Sequence, residues 1–211
     1  MIVYEEAELL VCQKPAGVDS ENALPALLRR ETGAEALCCV HRLDRETAGL
    51  MVYAKTKRAA AALSAAVAAH EMHKEYLAAA QGETPPAGEM TDLLYRDAKK
   101  NKSFVVKRMR RGVREAALRY ETLERVEGLS LVRVTLQTGR SHQIRVQFAS
   151  RGYPLVGDTK YGSAWRDCPL ALFASSLAFP HPLTRETLRF TASPPAVWPW
   201  TLFADRTPDV Q

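Results

Sequence analysis

Long hydrophobic runs are absent from the 211-residue sequence. None of its apolar stretches approaches the ~20 residues that a membrane-spanning helix needs. The N-terminus, MIVYEEAELLVCQKP, lacks the basic segment followed by an apolar stretch that marks a secretory signal. Hydrophobic residues make up 46% of the chain and charged residues 25%, a composition typical of a globular domain. These features predict a cytosolic protein that does not bind a membrane.

Metal and cofactor motifs are also missing. The four cysteines, at positions Cys12, Cys38, Cys39 and Cys168, show no C-x-x-C spacing, which favours reduced thiols over a zinc site or a disulfide framework. His70 and His73 lie three residues apart without further ligands, so we interpret them as helix-end histidines. No G-x-G-x-x-G turn is present. We therefore expect no metal and no cofactor.

Acidic residues are missing from one segment, KKNKSFVVKRMRRGVR, which covers positions 99–114 and carries eight lysines or arginines. The net charge of +5 is thus concentrated there, while the rest of the chain is slightly acidic. Such a basic stripe is typical of a protein that lies against a polyanion such as nucleic acid, although a solvated basic loop would have the same composition. SFVV in its middle predicts a strand, which disfavours a membrane-surface helix.

The pattern of apolar residues predicts one α+β domain over residues 1–211, with a mixed, mainly antiparallel sheet and flanking helices. Asn22 and Thr56 are expected to cap two helices, the first ending at Gly33 and the second covering residues 57–72. The chain has no long apolar heptad repeat, so we expect a monomer without an obligate protein partner.

Asp44 is the first candidate for chemistry. It lies in HRLDRETAGL, between Arg42 and Arg45, after an expected strand and before small residues that permit a tight turn. Neighbouring arginines favour an ionised carboxylate, which could act as a nucleophile or general base. The alternative is an aspartate that caps a turn or forms a structural ion pair.

A second constellation is QTGRSHQIRVQF, residues 137–148. Ser141 is expected to cap a helix there, and Arg140 beside the helix N-terminus makes a phosphate site. Arg145 could point inward toward a carboxylate or lie on the surface. A triad of Ser141, His142 and Asp44 is disfavoured, because no G-x-S-x-G turn surrounds the serine. Tyr76 could be a core aromatic or a stacking platform.

Three segments, HRLDRETAGLMVYAKT, KEYLA and TGRSHQIRVQFASRGYPLVGDTKYG, together resemble the successive motifs of the RluA family of RNA pseudouridine synthases. They occur in the expected order and cover most of the chain. The resemblance implies the pseudouridine synthase fold, with a central cleft that clasps RNA, and an isomerase that converts specific uridines in structured ribosomal or transfer RNA to pseudouridine.

The resemblance also implies roles for individual residues. Asp44 matches the catalytic aspartate, Tyr76 the active-site tyrosine, and Arg145 the basic residue that pairs with the aspartate. Asp44 could attack the base, attack C1′ or remove a sugar proton, and the sequence does not choose among these routes. Arg42 is the candidate to fill the gap that the flipped uridine leaves. The further residues expected to contact RNA are Arg140, His142, Lys99, Lys100, Lys102, Lys107, Arg108, Arg110 and Arg111.

Three positions depart from the family pattern. Ala48 replaces the serine of the usual TSG, Gln147 stands in place of a common histidine, and Phe173 replaces the histidine of LHA. None of them removes a proposed catalytic residue. We also expect no S4-like domain ahead of the catalytic domain.

Two other functions fit parts of the sequence. A catalytically silent RNA-binding protein on the same fold would bind RNA even without Asp44. A ribonuclease that uses His41 and His142 as acid and base would shorten its substrate.

Overall fold

The structure, a computed structural model, describes residues 1–203 of the chain. The chain folds as two compact units, each built from separate segments. The first unit holds residues 1–74 and 173–193, and the second holds residues 75–172 and 194–203. Both contain helices and mainly antiparallel strands, which confirms the predicted α+β class. No helix among the described residues is long and apolar enough to cross a membrane.

The first unit contains a sheet and two helices. Its strands are β1 (Ile2–Glu5), β2 (Leu9–Lys14), β3 (Cys38–Cys39), β4 (Ala48–Ala54), β10 (Leu172–Pro180) and β11 (Thr187–Thr191). Its helices are α1 (Ala23–Thr32) and α2 (Lys57–Ala68).

Strand β4 is the centre of this sheet. Its sequence, AGLMVYA, is apolar throughout and is buried from its second residue onward, as expected for a strand covered on both faces. β2 pairs with it antiparallel on one side, while β10 pairs parallel at its start and β3 pairs antiparallel at its end on the other. Gly49 has a φ of 119°, and a Cβ there would collide with the backbone of Ala174. Only glycine permits this close approach.

The helix ends of the first unit agree only in part with the sequence. Thr56 caps α2 by accepting a bond from the Ala59 amide, and Gly33 ends α1 in the left-handed conformation, as predicted. α2 ends at Ala68, however, because His70 adopts a left-handed φ of 58°, so the expected helix to residue 72 was too long. His70 therefore lies just after the end of α2, whereas His73 begins the next strand, so the interpretation as a helix-end histidine is wrong for His73.

The expected cap of α1 is also corrected. Asn22 occupies the N-cap position, but its side chain makes no capping bond. Asp19 supplies the side-chain acceptor ahead of α1 instead. Its Oδ1 accepts hydrogen bonds from the backbone N–H of Asn22 at 2.6 Å and of Glu21 at 3.0 Å. These bonds lower the pKa of Asp19.

The second unit contains an antiparallel sheet in the order β5-β9-β8-β6-β7. Its strands are β5 (His73–Gln81), β6 (Ala87–Asp97), β7 (Lys102–Val106), β8 (Val113–Val126) and β9 (Leu129–Leu136). One helix, α3 (Gln143–Ser150), packs on the sheet, where Phe148 meets the ring of Tyr120 edge-on. The segment 194–203 also belongs to this unit and buries Trp200 and Phe203.

The start of α3 differs from the prediction that Ser141 caps it. His142 holds the N-cap position with a φ of 55° and no capping side chain. Gln143 organises the turn instead, because its Oε1 accepts from the Arg140 amide at 3.0 Å and from the Thr138 hydroxyl at 2.8 Å. An inward-facing glutamine thus does the work that the sequence suggested for the serine.

Candidate functional site

The loop that carries Asp44 joins β3 to β4 in the first unit. Ser20 holds one side of it through two bonds between its hydroxyl and the backbone of Leu43, at 3.0 and 3.3 Å. A turn bond from the Thr47 amide to the Asp44 carbonyl, 3.0 Å long, closes the other side. Asp44 is half-buried. Its backbone is therefore fixed before any substrate arrives.

A buried lysine, Lys14, anchors the same loop. Its side chain is fully buried, and its ammonium donates to the carbonyls of Pro15 at 3.0 Å, Val18 at 2.8 Å and Arg45 at 2.8 Å. Burial lowers the pKa of Lys14 to about 8. The negative charges of Glu46, Asp44 and Asp19 raise this pKa and offset only part of the effect of burial. This role could not be predicted from the sequence, because a lysine at the end of a strand is usually exposed.

Arg42 and His41 lie at the start of the loop with different exposures. Arg42 is about half exposed, and its Nη1 forms a 3.2 Å ion pair with the equally exposed Glu21. Such a surface pair is worth little and is easily broken. His41 is buried, and its Nε2 accepts a 3.1 Å bond from the Val52 amide. Burial lowers the pKa of His41 well below 6.5, which disfavours the ribonuclease hypothesis.

Arg145 occupies the buried side of α3 in the second unit. Its Nε and Nη2 donate to the two oxygens of Asp158, at 2.7 and 2.8 Å, and both side chains are almost completely buried. This inward position is one of the two that the sequence left open. Asp158 lies in GDTKYG, within the third motif, and its pairing with Arg145 was not predicted from the sequence.

Tyr161 links Arg145 to the edge of the sheet. Its ring lies 5.2 Å from the Arg145 guanidinium and 4.9 Å from the Lys102 ammonium. Its hydroxyl bonds to Nδ1 of His142 at 2.9 Å and accepts from the Ser103 amide at 2.8 Å. Because His142 is buried and bonded to Tyr161, its position argues for a supporting role more than for direct contact with RNA.

Tyr76 is buried on β5 opposite Val134 of β9. Arg140 is exposed just ahead of α3, and its Nε donates to the Glu115 carbonyl at 2.9 Å. The second unit thus contains both Tyr76 and Arg145, whereas Asp44 and Arg42 belong to the first unit.

The predicted basic stripe follows the edge strand of the second unit. SFVV forms most of β7, as predicted, and the cations flank it in the turns on either side. Aromatic rings hold several of them: Lys100 and Lys102 lie 6.0 and 5.7 Å from Phe104, and Arg110 lies 5.2 Å from Tyr95. Every cation of the stripe is exposed except Lys102, which is half-buried. This edge therefore presents a concentrated positive surface to solvent.

Comparison with known proteins identifies the family. The sequence profile described as RNA pseudouridylate synthase matches residues 8–150. The ribosomal large subunit pseudouridine synthase D of Xanthomonas campestris is 32% identical over 92% of this chain and 66% of its own length. That of Pseudomonas aeruginosa is 34% identical over 95% of this chain and 70% of its own length. The chain spans about two thirds of the length of these relatives.

Solved structures agree with this result. Human RNA pseudouridylate synthase domain containing 4 superposes with a TM-score of 0.80 at 25% identity, covering 100% of this chain and 94% of that one. Human RNA pseudouridylate synthase domain containing 1 has the same fold, with a TM-score of 0.82 at 24% identity, over 99% of this chain and 88% of that one. The resemblance read from the motifs is confirmed, and the chain belongs to the RNA pseudouridylate synthase family, the isomerases that convert uridine in RNA to pseudouridine.

Proposed function

We propose that this chain isomerises specific uridines in structured ribosomal or transfer RNA, with Asp44 as the catalytic carboxylate. Family membership supports the reaction, and the relatives named for the ribosomal large subunit favour ribosomal RNA as the substrate. A monomeric, cytosolic enzyme built on a single catalytic domain is the matching prediction from the sequence.

The chemistry explains which groups the site needs. The N1–C1′ glycosidic bond of uridine breaks, the base turns, and C5 bonds to C1′ in its place. The hydrogen on C5 leaves to solvent and N1 takes up a proton, so atoms balance and no electrons are gained or lost. The reaction therefore needs a positioned carboxylate and proton transfer rather than an electron carrier.

The assignment of Asp44 as the catalytic carboxylate rests on the hydrogen bonds that hold its loop. Lys14 and Ser20 fix the backbone on both sides of this residue, at Arg45 and Leu43. A carboxylate on such a loop is held in place for attack or proton removal, since little further ordering is needed at the moment of reaction.

Arg145 and Tyr76 receive their roles from the motif resemblance. We assign Arg145 the positive charge that keeps the catalytic carboxylate ionised and oriented. An arginine has five N–H donors, so the two bonds to Asp158 are compatible with a second carboxylate partner. Tyr76 would stack on the uracil ring and assist proton transfer.

The remaining site residues are proposed to bind RNA. Arg42, which pairs with the exposed Glu21, would enter the RNA helix where the target uridine flips out. Arg140 and the basic stripe (Lys99, Lys100, Lys102, Lys107, Arg108, Arg110, Arg111) would hold phosphates and orient the RNA without reading its sequence. His142 would act through Tyr161.

Tritium release tests the proposal directly. Ribosomal and transfer RNA transcripts with tritium at uridine C5 should lose the label to water when treated with the native protein. Asp44→Ala and the isosteric Asp44→Asn should release none, whereas Glu46→Ala, which removes an exposed carboxylate from the same loop, should release it at close to the native rate. Release by Asp44→Ala would refute the assignment of Asp44. Intact RNA binding with no release from any cellular RNA would instead indicate a silent RNA-binding protein.

A further inference from the structure

A cavity of about 620 Å³ lies in the second unit, at the β8–β9 turn. Its volume is typical of sites that bind small molecules or single nucleotides. The lining combines the turn, the segment after Tyr161, and the returning tail: Glu127, Leu129, Ala164, Trp165, Arg166, Asp167, Cys168, Trp198 and Leu202. None of these residues belongs to the proposed catalytic or phosphate-binding set.

Two tryptophans, Trp165 and Trp198, line this cavity. The ring centroids of Trp165 and Trp198 are 5.8 Å apart with planes inclined at 47°. Their exposures are 38% and 37%, unusually high for a large aromatic residue that a fold could bury. Each exposed indole ring beside the cavity offers a flat apolar face on which a planar ligand can stack.

The Trp165 wall is preformed by hydrogen bonds. The buried hydroxyl of Ser163 donates to the Trp165 carbonyl at 2.9 Å and accepts from the Trp165 amide at 3.2 Å. Gln81, at the end of β5, donates to the same hydroxyl at 2.7 Å and accepts from the Ala164 amide at 3.2 Å. A ligand entering the cavity therefore meets an ordered surface.

Charged groups at the rim indicate which planar ligand fits. Arg166 offers a guanidinium that can pair with a phosphate, and the exposed carboxylates of Glu127 and Asp167 can accept bonds from amino and ring N–H groups. Of the four RNA bases, guanine presents both kinds of donor on one edge, so carboxylate acceptors fit it best.

The cavity lies at the end of the strand that carries Tyr76. Gln81, which holds the Trp165 segment, is five residues along β5 from Tyr76. At about 3.4 Å per residue this spans roughly 17 Å. The two side chains point to opposite faces of the strand, so an RNA in contact with Tyr76 would have to pass around this end of β5, over about five or more stacked nucleotides, to enter the cavity.

We propose that the cavity around Trp165 and Trp198 binds one unpaired guanine of the RNA substrate, stacked on the indole ring of Trp165. The proposal rests on the proposed function only for the identity of the RNA. This contact would recognise a base outside the catalytic centre and so help to choose which uridine is modified.

Tryptophan fluorescence gives a local readout, because the chain has only three tryptophans, and Trp200 is a close neighbour of Trp198 in the same tail. We would titrate the inactive Asp44→Ala protein with GMP, AMP, CMP and UMP, and then with short single-stranded RNAs. Saturable quenching, strongest for GMP, is expected. No saturable quenching by any nucleotide or RNA would overturn the proposal and would leave a protein partner as the better occupant.

Variants connect the cavity to the RNA substrate. Filter binding should show Trp165→Ala weakening RNA affinity by about tenfold, since stacking on one base has this order of effect. Trp165→Phe should restore most of the loss, and Tyr4→Ala, an equally exposed aromatic in the first unit, should have no effect. In the tritium assay, Trp165→Ala should raise KM and leave kcat unchanged.

These readouts separate the two proposals. Quenching by GMP without tritium release would refute the proposed function and support the nucleotide site. Tritium release with equal RNA affinity in the native and Trp165→Ala proteins would support the proposed function and refute the nucleotide site.

Discussion

Arg145 and Asp158 face each other across two parallel hydrogen bonds, 2.7 and 2.8 Å long, with Asp158 completely buried and Arg145 nearly so. Such a fork-to-carboxylate pair fixes the plane of the guanidinium as well as its position. Arg145, which we propose pairs with Asp44, is thus itself held by another carboxylate.

Asp158→Asn is expected to destabilise the protein by about 3 kcal/mol, because it leaves the Arg145 charge buried without its full partner. Urea unfolding monitored by circular dichroism would measure the change. Glu121→Gln is the matched control: its ion pair with Arg133 is exposed, so the loss should stay below about 1 kcal/mol. Equal losses in the two variants would show that the burial of the Arg145–Asp158 pair does not determine its contribution to stability.

Lys14→Met should disturb the Asp44 loop without touching its side chain. Methionine fills a similar volume but removes the ammonium bonds to three carbonyls, of which only that of Arg45 keeps another donor among residues 1–203, the Gly17 amide, so we expect a cost of about 3 kcal/mol in unfolding free energy. We also expect a lower kcat in the tritium assay, because the loop loses its anchor at Arg45. Lys55→Met, which removes a lysine paired with Glu5 at the surface, is the control. A native kcat in Lys14→Met would show that the anchor is dispensable.

The buried His41 predicts a loss of stability in acid. Burial, with a smaller contribution from the charge of Lys74, lowers the pKa of His41 below the value of 6.5 that the unfolded chain has. The unfolded state therefore binds a proton that the folded state does not, and the free energy of unfolding falls as pH drops below about 6.5, by up to about 1.4 kcal/mol per pH unit. The contribution of neutral His41 to the free energy of unfolding is fully present above about pH 6.5.

Unfolding measured at pH 7.5 and pH 5.0 would test this. His41→Asn, which does not titrate, should show a smaller loss between the two pH values than the native protein. An identical loss in both proteins would mean that other groups account for the acid sensitivity.

The basic stripe predicts a salt-dependent contribution to RNA binding. Replacing Lys107 and Arg111 together by alanine should weaken binding and reduce the slope of log K against log salt by about 1.5, as expected for two lost phosphate contacts. The matched control replaces Arg119 and Arg133, which are exposed but paired with Glu89 and Glu121. Filter binding at several salt concentrations gives both slopes, and an unchanged slope in the Lys107/Arg111 variant would exclude these phosphate contacts.

Local sequence signals predicted much of the fold because their causes are local. Thr56, which precedes an alanine-rich segment, caps α2, and Gly33 ends α1. Both effects could be predicted because each depends on residues within one helical turn. The continuous apolar run of β4 is likewise a local signal, typical of a buried strand. The residue patterns singled out Asp44, Tyr76 and Arg145, the motif resemblance implied their roles, and the structure holds Arg145 inward.

Other features depend on contacts distant in sequence and could not be predicted. Lys14 is buried because the backbone around Val18 and Arg45 supplies acceptors that only the folded chain brings together. Asp158 meets Arg145 thirteen residues away through the turn after α3. A sequence pattern does not encode such encounters, whereas it does encode caps and strand periodicity.

The discontinuous first unit has a consequence for biosynthesis. β4 pairs with β10, which the ribosome makes more than a hundred residues later, so the sheet beside the Asp44 loop stays incomplete until almost the whole described chain has emerged. The second unit's sheet needs only strands that are contiguous in the chain. A nascent chain can thus complete the sheet that carries the basic stripe before β10 completes the sheet beside the Asp44 loop.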